Sequence, residues 1–241
     1  MRKGLIALSL LMANNVYADT CIPKPDCADM GYTKTSCSGA YLKCPFDTSK
    51  MACLADENAG RLCLVGYIYY SDGTCDSVVY STKTPIGVVV KTNELVMSLV
   101  TKSMTWASSY VDVSGLTNYS SSTDAKTDYN GKTNTAKIVS AYTSDTTSNN
   151  AAKYCNSYST AGTSAGQWYL PAAGEIYGYI YASYVTLSAT FGALGKSLPS
   201  GYYWSSSEYN NNFAWRVYAN LGGVDYYGKA NGYSVSCLLE I

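Results

Sequence analysis

The stretch "NNNFAWRVYANLGGVDYYGKANGYSVSC", residues 210–237, decides how this chain is read. Its first half alternates. Phe213, Trp215, Val217 and Ala219 fall on one side of an extended strand, and Ala214, Arg216, Tyr218 and Asn220 on the other. Its second half is crowded with Asn, Gly and Tyr, and Asn and Gly are poor strand formers. Framework residues and side chains that a core cannot use are therefore interleaved. The flanks sharpen the contrast. "YYWSSSE" upstream reads as a strand, and "YSVSCLLEI" downstream as a last strand with Val235, Cys237, Leu239 and Ile241 on one face.

Further upstream the period changes. "TPIGVVVK" follows a proline and reads as a buried strand, and "ELVMSLVTK" as a strand or short helix. Residues 107–134, rich in Ser, Thr, Asn and Asp, read as a long loop. "NTAKIVSAY" is helical with Asn134 or Thr135 as its N-cap, and "NNAAKYCNSY" continues in helical character. "WYLPAAGEIYGYIYASY" places Pro171 near a helix start and Glu175 in its first turns, and Leu187, Phe191 and Leu194 share a helical face. Strands, then helices, then strands indicate an α+β fold.

The beginning of the chain is different again. Residues 1–18 read as a signal peptide, with a basic start, an apolar run too short for a bilayer, and Val16-Tyr17-Ala18 before the cut. The residues before Cys21 do not form a lipobox, which needs Gly or Ala directly before its Cys. Losing Arg2 and Lys3 with the leader makes the rest mildly acidic, so no electrostatic pull toward nucleic acid is expected. An exported chain with nine cysteines is expected to carry disulfides, and an odd number leaves at least one thiol free or paired between molecules. Most of these cysteines fall in residues 19–79, a segment too poor in apolar residues to build a core. Within it, "CLVGYIYYSDGTC" reads as a hairpin tied at its base by a Cys63–Cys75 bridge. The expected organisation is thus a leader (1–18), a cysteine-rich segment (19–79) and a domain (80–241).

The chain has no histidine, which excludes Ser-His and Cys-His nucleophilic pairs and His-ligated zinc. Asp128, Asn130 and Asn134 in "DYNGKTN" are the best local cluster of calcium-type oxygens, but they read as a turn leading into a capped helix. Glu175 and Glu208 are the candidate carboxylate pair for hydrolytic work, and their positions favour structural roles.

"QWYLPAAGEI", "YYWSSSEYNNNFAWRVYANLGG" and "SVSCLLEI" together resemble the bacterial Lcl C-terminal-like domain, which has a C-type-lectin-like fold. The resemblance covers residues 80–241. It implies that the first and last strands pair, and that Cys155 bridges Cys237 across a long loop, worth about 4 kcal/mol. It extends to the variable proteins of diversity-generating retroelements, which display a ligand-binding surface on the same scaffold. There Asn codons are the main target, and they mutate to the residue types that fill 210–237. The resemblance therefore implies an exported adhesion or recognition protein with no enzymatic activity. Its ligand-binding residues would be Asn211, Asn212, Phe213, Arg216, Tyr218, Asp225, Tyr226, Tyr227, Asn231 and Tyr233, and of these Arg216, Tyr218, Asp225, Tyr226, Tyr227, Asn231 and Tyr233 are expected together on one exposed face. Tyr with Ser, Gly and Asn is also the composition of antibody paratopes. The partner would be a protein or glycan at a cell or phage surface, with no metal and no cofactor. The sugar-lectin triplets that hold calcium are missing from this sequence. The protein would be secreted, periplasmic or on the cell surface. The alternative reading is a structural surface or adhesion-fibre subunit with no diversified site.

Overall fold

The computed structural model describes residues 62–241, together with Thr35, Ser49 and one short ladder nearer the start. The leader and Cys21, Cys27, Cys37 and Cys44 lie outside the described residues, as does the fate of the odd thiol. The chain divides into two compact units, Met1–Ala55 and Asp56–Ile241. In the first, β1 (Tyr41–Lys43) pairs antiparallel with β2 (Met51–Cys53).

The second unit is an α+β domain with two sheets. One sheet has the order β4-β3-β5-β6-β13-β8, built from β3 (Ile68–Tyr70), β4 (Cys75–Asp76), β5 (Pro85–Lys91), β6 (Leu95–Ser98), β8 (Trp168–Tyr169) and β13 (Leu238–Glu240). The hairpin β3–β4 belongs to this sheet through β5, so the boundary expected after residue 79 is corrected to one after Ala55. The physical reason is burial: Ile68 and Tyr70 are fully buried and supply apolar surface that a stapled spacer would lack. Cys63 and Cys75 are bonded, with Cα atoms 5.2 Å apart.

The other sheet has the order β11-β10-β9-β12-β7, built from β7 (Lys102–Thr105), β9 (Tyr202–Glu208), β10 (Phe213–Tyr218), β11 (Val224–Gly228) and β12 (Gly232–Val235). The expected single last strand is in fact two strands. The chain leaves one sheet at Val235 and enters the other at Leu238. Ser98 secures the crossing. Its N–H donates to the Cys237 carbonyl (2.9 Å), and its hydroxyl accepts from the Cys237 N–H (3.0 Å). β13 pairs with β6, the second strand of its hairpin, and not with β5 as the resemblance implied.

The helices are α1 (Ser122–Ala125), α2 (Gly131–Ala141), α3 (Ala151–Ser157), α4 (Ala173–Glu175), a π-helical turn (Ile176–Tyr181) and α5 (Tyr184–Ala193). Two of them replace part of the loop expected at 107–134. α2 starts after Asn130, so Asn134 and Thr135 lie inside it and are not its caps. Both are buried and spend their side chains on tertiary bonds: Asn134 donates to Asp128 (2.8 Å), and Thr135 to the Leu170 carbonyl (3.2 Å). Cys155 on α3 is bonded to Cys237, with Cα atoms 5.3 Å apart. Among the described residues, no helix is long and apolar enough to cross a membrane.

Candidate functional site

The polar run in "YYWSSSE" is an internal brace. Ser205, Ser206, Ser207 and Glu208 are all fully buried. The Ser205 hydroxyl donates to the Trp215 carbonyl (2.7 Å), and the Ser207 hydroxyl donates to Asp128 (2.7 Å) while accepting from the Ala173 N–H (2.9 Å). Buried hydroxyls must find such partners, and these bonds fix β9 beside β10 and the helices. Asp128 also accepts from the Asn130 N–H and amide and from the Asn134 amide. Its oxygens are filled by protein donors, as in a turn entering a helix. Among the described residues, no cluster of three or more His, Cys, Asp or Glu side chains is placed to hold a metal.

Glu208 ends this strand against Lys229, and both side chains are completely buried. Lys229 donates to Glu208, to the Val111 carbonyl (2.7 Å) and to the Tyr142 hydroxyl (3.5 Å), and sits 4.5 Å from the centre of the Trp106 ring. Burial pushes the Glu208 carboxyl up and the Lys229 ammonium down, and each partner opposes the other's shift. Glu175 has a different setting. It accepts from the Ala172 N–H (2.7 Å), which opens α4, and from the Tyr169 hydroxyl (3.1 Å). Burial raises its pKa to about 7; those two bonds lower it, and the charges of Asp128 and Glu240 raise it. It lines a cavity of about 330 Å³ with Lys91, Tyr129, Tyr179 and Glu240 among its neighbours. Each carboxylate thus has structural partners of its own.

The register between β10 and β11 decides which side chains meet on the five-stranded sheet. Arg216 is opposite Asp225, Ala214 opposite Tyr227, and Trp215 opposite Tyr226. Register partners share a face, and neighbours along a strand do not. Arg216, Tyr218, Asp225 and Tyr227 therefore share one face, joined by Tyr202 and Tyr233. The Arg216 guanidinium carbon lies 3.9 Å from the Tyr202 ring centre, 4.3 Å from that of Tyr227 and 4.4 Å from that of Tyr233. Its Nη2 donates to Asp225 at 2.9 Å. Arg216 is 8 % exposed, and its Nε is buried with no partner. Tyr227, at 43 % exposure, is the open edge of the cage. Asn231 stands exposed in the turn before β12, where its amide donates to the Gly228 carbonyl.

Tyr226 does not join this face. It stacks on Tyr209 at 4.0 Å between ring centres and packs edge-on against Trp215 and Phe213. The expected single face is corrected to two. Arg216, Tyr218, Asp225, Tyr227 and Tyr233 form one group. Phe213 and Tyr226 form another on the reverse side, next to the exposed turn residues Asn211 and Asn212. Sequence reasoning missed Tyr202 and Tyr209. Alternation along β9 contained the signal for Tyr202, because it shares a parity with Trp204.

These features define a two-sheet, disulfide-closed α+β domain with a tyrosine-rich face around a buried arginine. No protein-family model matches the sequence, and no curated protein does. Among solved structures it is similar in fold to a fimbrial protein from Bacteroides ovatus, at 17 % identity and a TM-score of 0.53. The likeness covers 74 % of this chain and 49 % of that one, so the chain corresponds to about half of its neighbour's length.

Proposed function

We propose that this chain is an exported surface protein that serves as a subunit of an adhesive fibre, with the compact domain as its contact module. The observation that carries this reading is the fold shared with a fimbrial protein. Bonded Cys63–Cys75 and Cys155–Cys237 are in keeping with an oxidising, extracytoplasmic setting. Immunogold labelling of intact cells and of sheared surface material tests it. Label on filaments is the expected result, and label confined to the cell interior refutes it.

The finer reading is a C-type-lectin-like scaffold with a retroelement-diversified surface. Its support is the division of labour within 202–235. Trp204, Trp215 and Val217 are buried, while Asn211, Asn212, Tyr226, Tyr227 and Asn231 are exposed. That is the pattern of a fixed framework under replaceable contacts. Sequencing the neighbouring DNA tests it. An Asn-codon-rich near-copy of codons 205–241 beside a reverse-transcriptase gene is expected, and its absence leaves a fixed adhesive subunit.

A further inference from the structure

We propose that the Arg216–Asp225 pair and the rings of Tyr202, Tyr227 and Tyr233 form a binding site for a neutral saccharide. The proposal rests on the reading of this domain as a contact module and names the chemistry that the module recognises.

Arg216 has donors that the protein leaves unanswered. A guanidinium carries five N–H groups. In Arg216 the bond to Asp225 accounts for one, and the buried Nε has no acceptor. A native structure seldom leaves such a group unanswered, and a bound ligand is one of the few ways to satisfy it. The rings on the guanidinium faces hold it in place by cation–π attraction but supply no acceptor.

Charge narrows the class of ligand. Asp225 balances Arg216 at 2.9 Å, so the site has no net charge to attract an ion. A ligand carboxylate would meet Asp225, and a ligand ammonium would meet Arg216. A neutral polyol meets neither penalty. Asp225 accepts from Arg216 and from the Tyr226 N–H (2.8 Å), which leaves lone pairs on its half-exposed carboxylate. An unused donor and an unused acceptor therefore stand side by side. Two adjacent sugar hydroxyls match that pair, one accepting from the guanidinium and the other donating to the carboxylate. Shape agrees: Tyr227 is the most exposed ring of the cage, at 43 %, and offers a flat surface to the C–H face of a pyranose, and under this proposal the ligand reaches the buried guanidinium edge by displacing that ring.

The test is calorimetric titration of the full exported chain with neutral hexose oligosaccharides, alongside sialylated or uronate-bearing ones and a peptide library. Neutral oligosaccharides should bind, with little dependence on salt. Tyr227→Ala, at an exposed ring, should weaken that binding roughly tenfold or more without lowering Tm. Asp225→Asn and Arg216→Lys should weaken it as much, the first because it takes away the carboxylate acceptor and the second because it loses the fork, and both should also lower Tm because they disturb a buried ion pair. Tyr110→Ala, an exposed control at 55 %, should change nothing. Binding of acidic glycans alone or of peptides alone overturns the proposal. So does failure to bind any saccharide, or neutral binding that survives both Tyr227→Ala and Asp225→Asn. The outcome is separable from fibre membership: labelled filaments with no saccharide binding reject this site only, and saccharide binding without filaments rejects only the fibre reading.

Discussion

Replacing Lys229 by Met tests whether the buried ion pair holds the contact hairpin in place. Lys229 follows β11, and its backbone is bonded on both sides. Its N–H donates to the Asn212 carbonyl (3.0 Å), and its carbonyl accepts from the Trp106 N–H (2.9 Å). Its side chain runs to Glu208 with no solvent contact at either end. Met keeps the stem but removes the ammonium. That leaves Glu208 with the Val113 N–H (3.1 Å) as its remaining donor and the Val111 carbonyl without Lys229. Breaking one side of such a pair costs about 3–5 kcal/mol. The loss should appear at pH 8 as a lower urea midpoint at unchanged slope. It should then shrink as pH falls, for a definite reason. Without its cation, Glu208 in this dry site has a folded pKa above its unfolded one, so the native state gains a proton that neutralises the orphaned charge. Adding Glu208→Gln removes the charge while keeping an acceptor for Val113, so the double variant should be more stable at pH 8 than Lys229→Met alone. A single-variant loss under about 1 kcal/mol, a double variant worse than the single, or a deficit that grows with acid would refute the reasoning.

Glu175 gives a second pH signature. Its folded pKa near 7 exceeds the ordinary 4.5, so the native state holds a proton that the unfolded chain releases. Stability should therefore fall by about 3 kcal/mol as pH rises through that window, and Glu175→Gln should lose this slope; parallel curves for the two proteins would exclude it. Reducing the Cys155–Cys237 bridge, which closes a separation of 82 residues, should cost about 4 kcal/mol, and an unchanged melt after reduction to free thiols would contradict this. Trp215→Ala should cost roughly 3–5 kcal/mol and Tyr227→Ala under about 1, as read from urea midpoints; equal losses would make Tyr227 a core residue. Melts in calcium and in chelator should coincide, and a shift of several degrees would reveal a cation site.

The alternation of Phe213 to Asn220 was readable because one strand has a fixed period of two, and Trp215 and Val217 are buried as that parity requires. The Cys63–Cys75 hairpin was readable from its turn, and the Cys155–Cys237 bridge followed from the resemblance. The sheet switch at 236–237 was not readable. Val235, Cys237 and Leu239 are buried with one parity, as in a continuous strand, yet Ser236 and Leu238 between them are also buried. Alternation cannot mark a crossing whose two faces are both covered. The same limit hid Lys229. A lysine after a Tyr-rich strand reads as solvent-facing, and only the tertiary position of Glu208 makes it a core residue. The start of α2 was misplaced because Asn134 and Thr135 resemble caps. Their side chains answer to Asp128 and Leu170, which are distant or non-helical partners that local rules do not weigh.

The division of the tyrosines between two faces has a single local origin. Parity along β10 is set by its own residues, but the parity of β11 depends on the turn that joins them. There Tyr218 donates its N–H to the Gly223 carbonyl (2.7 Å) and accepts from the Gly222 N–H (2.8 Å). Gly222 has a φ of +74°, which side chains rarely adopt, and a Cβ on it would come within 2.4 Å of the Tyr181 ring. The turn is therefore held both by its own geometry and by a ring from the π-helical turn. A slip of one residue in β11 would exchange the two faces. Tyr226 would then face Arg216, and Tyr227 would lie against Trp215. The same slip would remove Asp225 from the guanidinium. A side chain buried to 92 % in effect, at 8 % exposure, would lose its counter-ion, and that register is therefore strongly disfavoured. The Arg216–Asp225 pair thus does two things at once. It fixes the register that brings Tyr227 to the open edge, and it furnishes the polar centre of the face that this register creates.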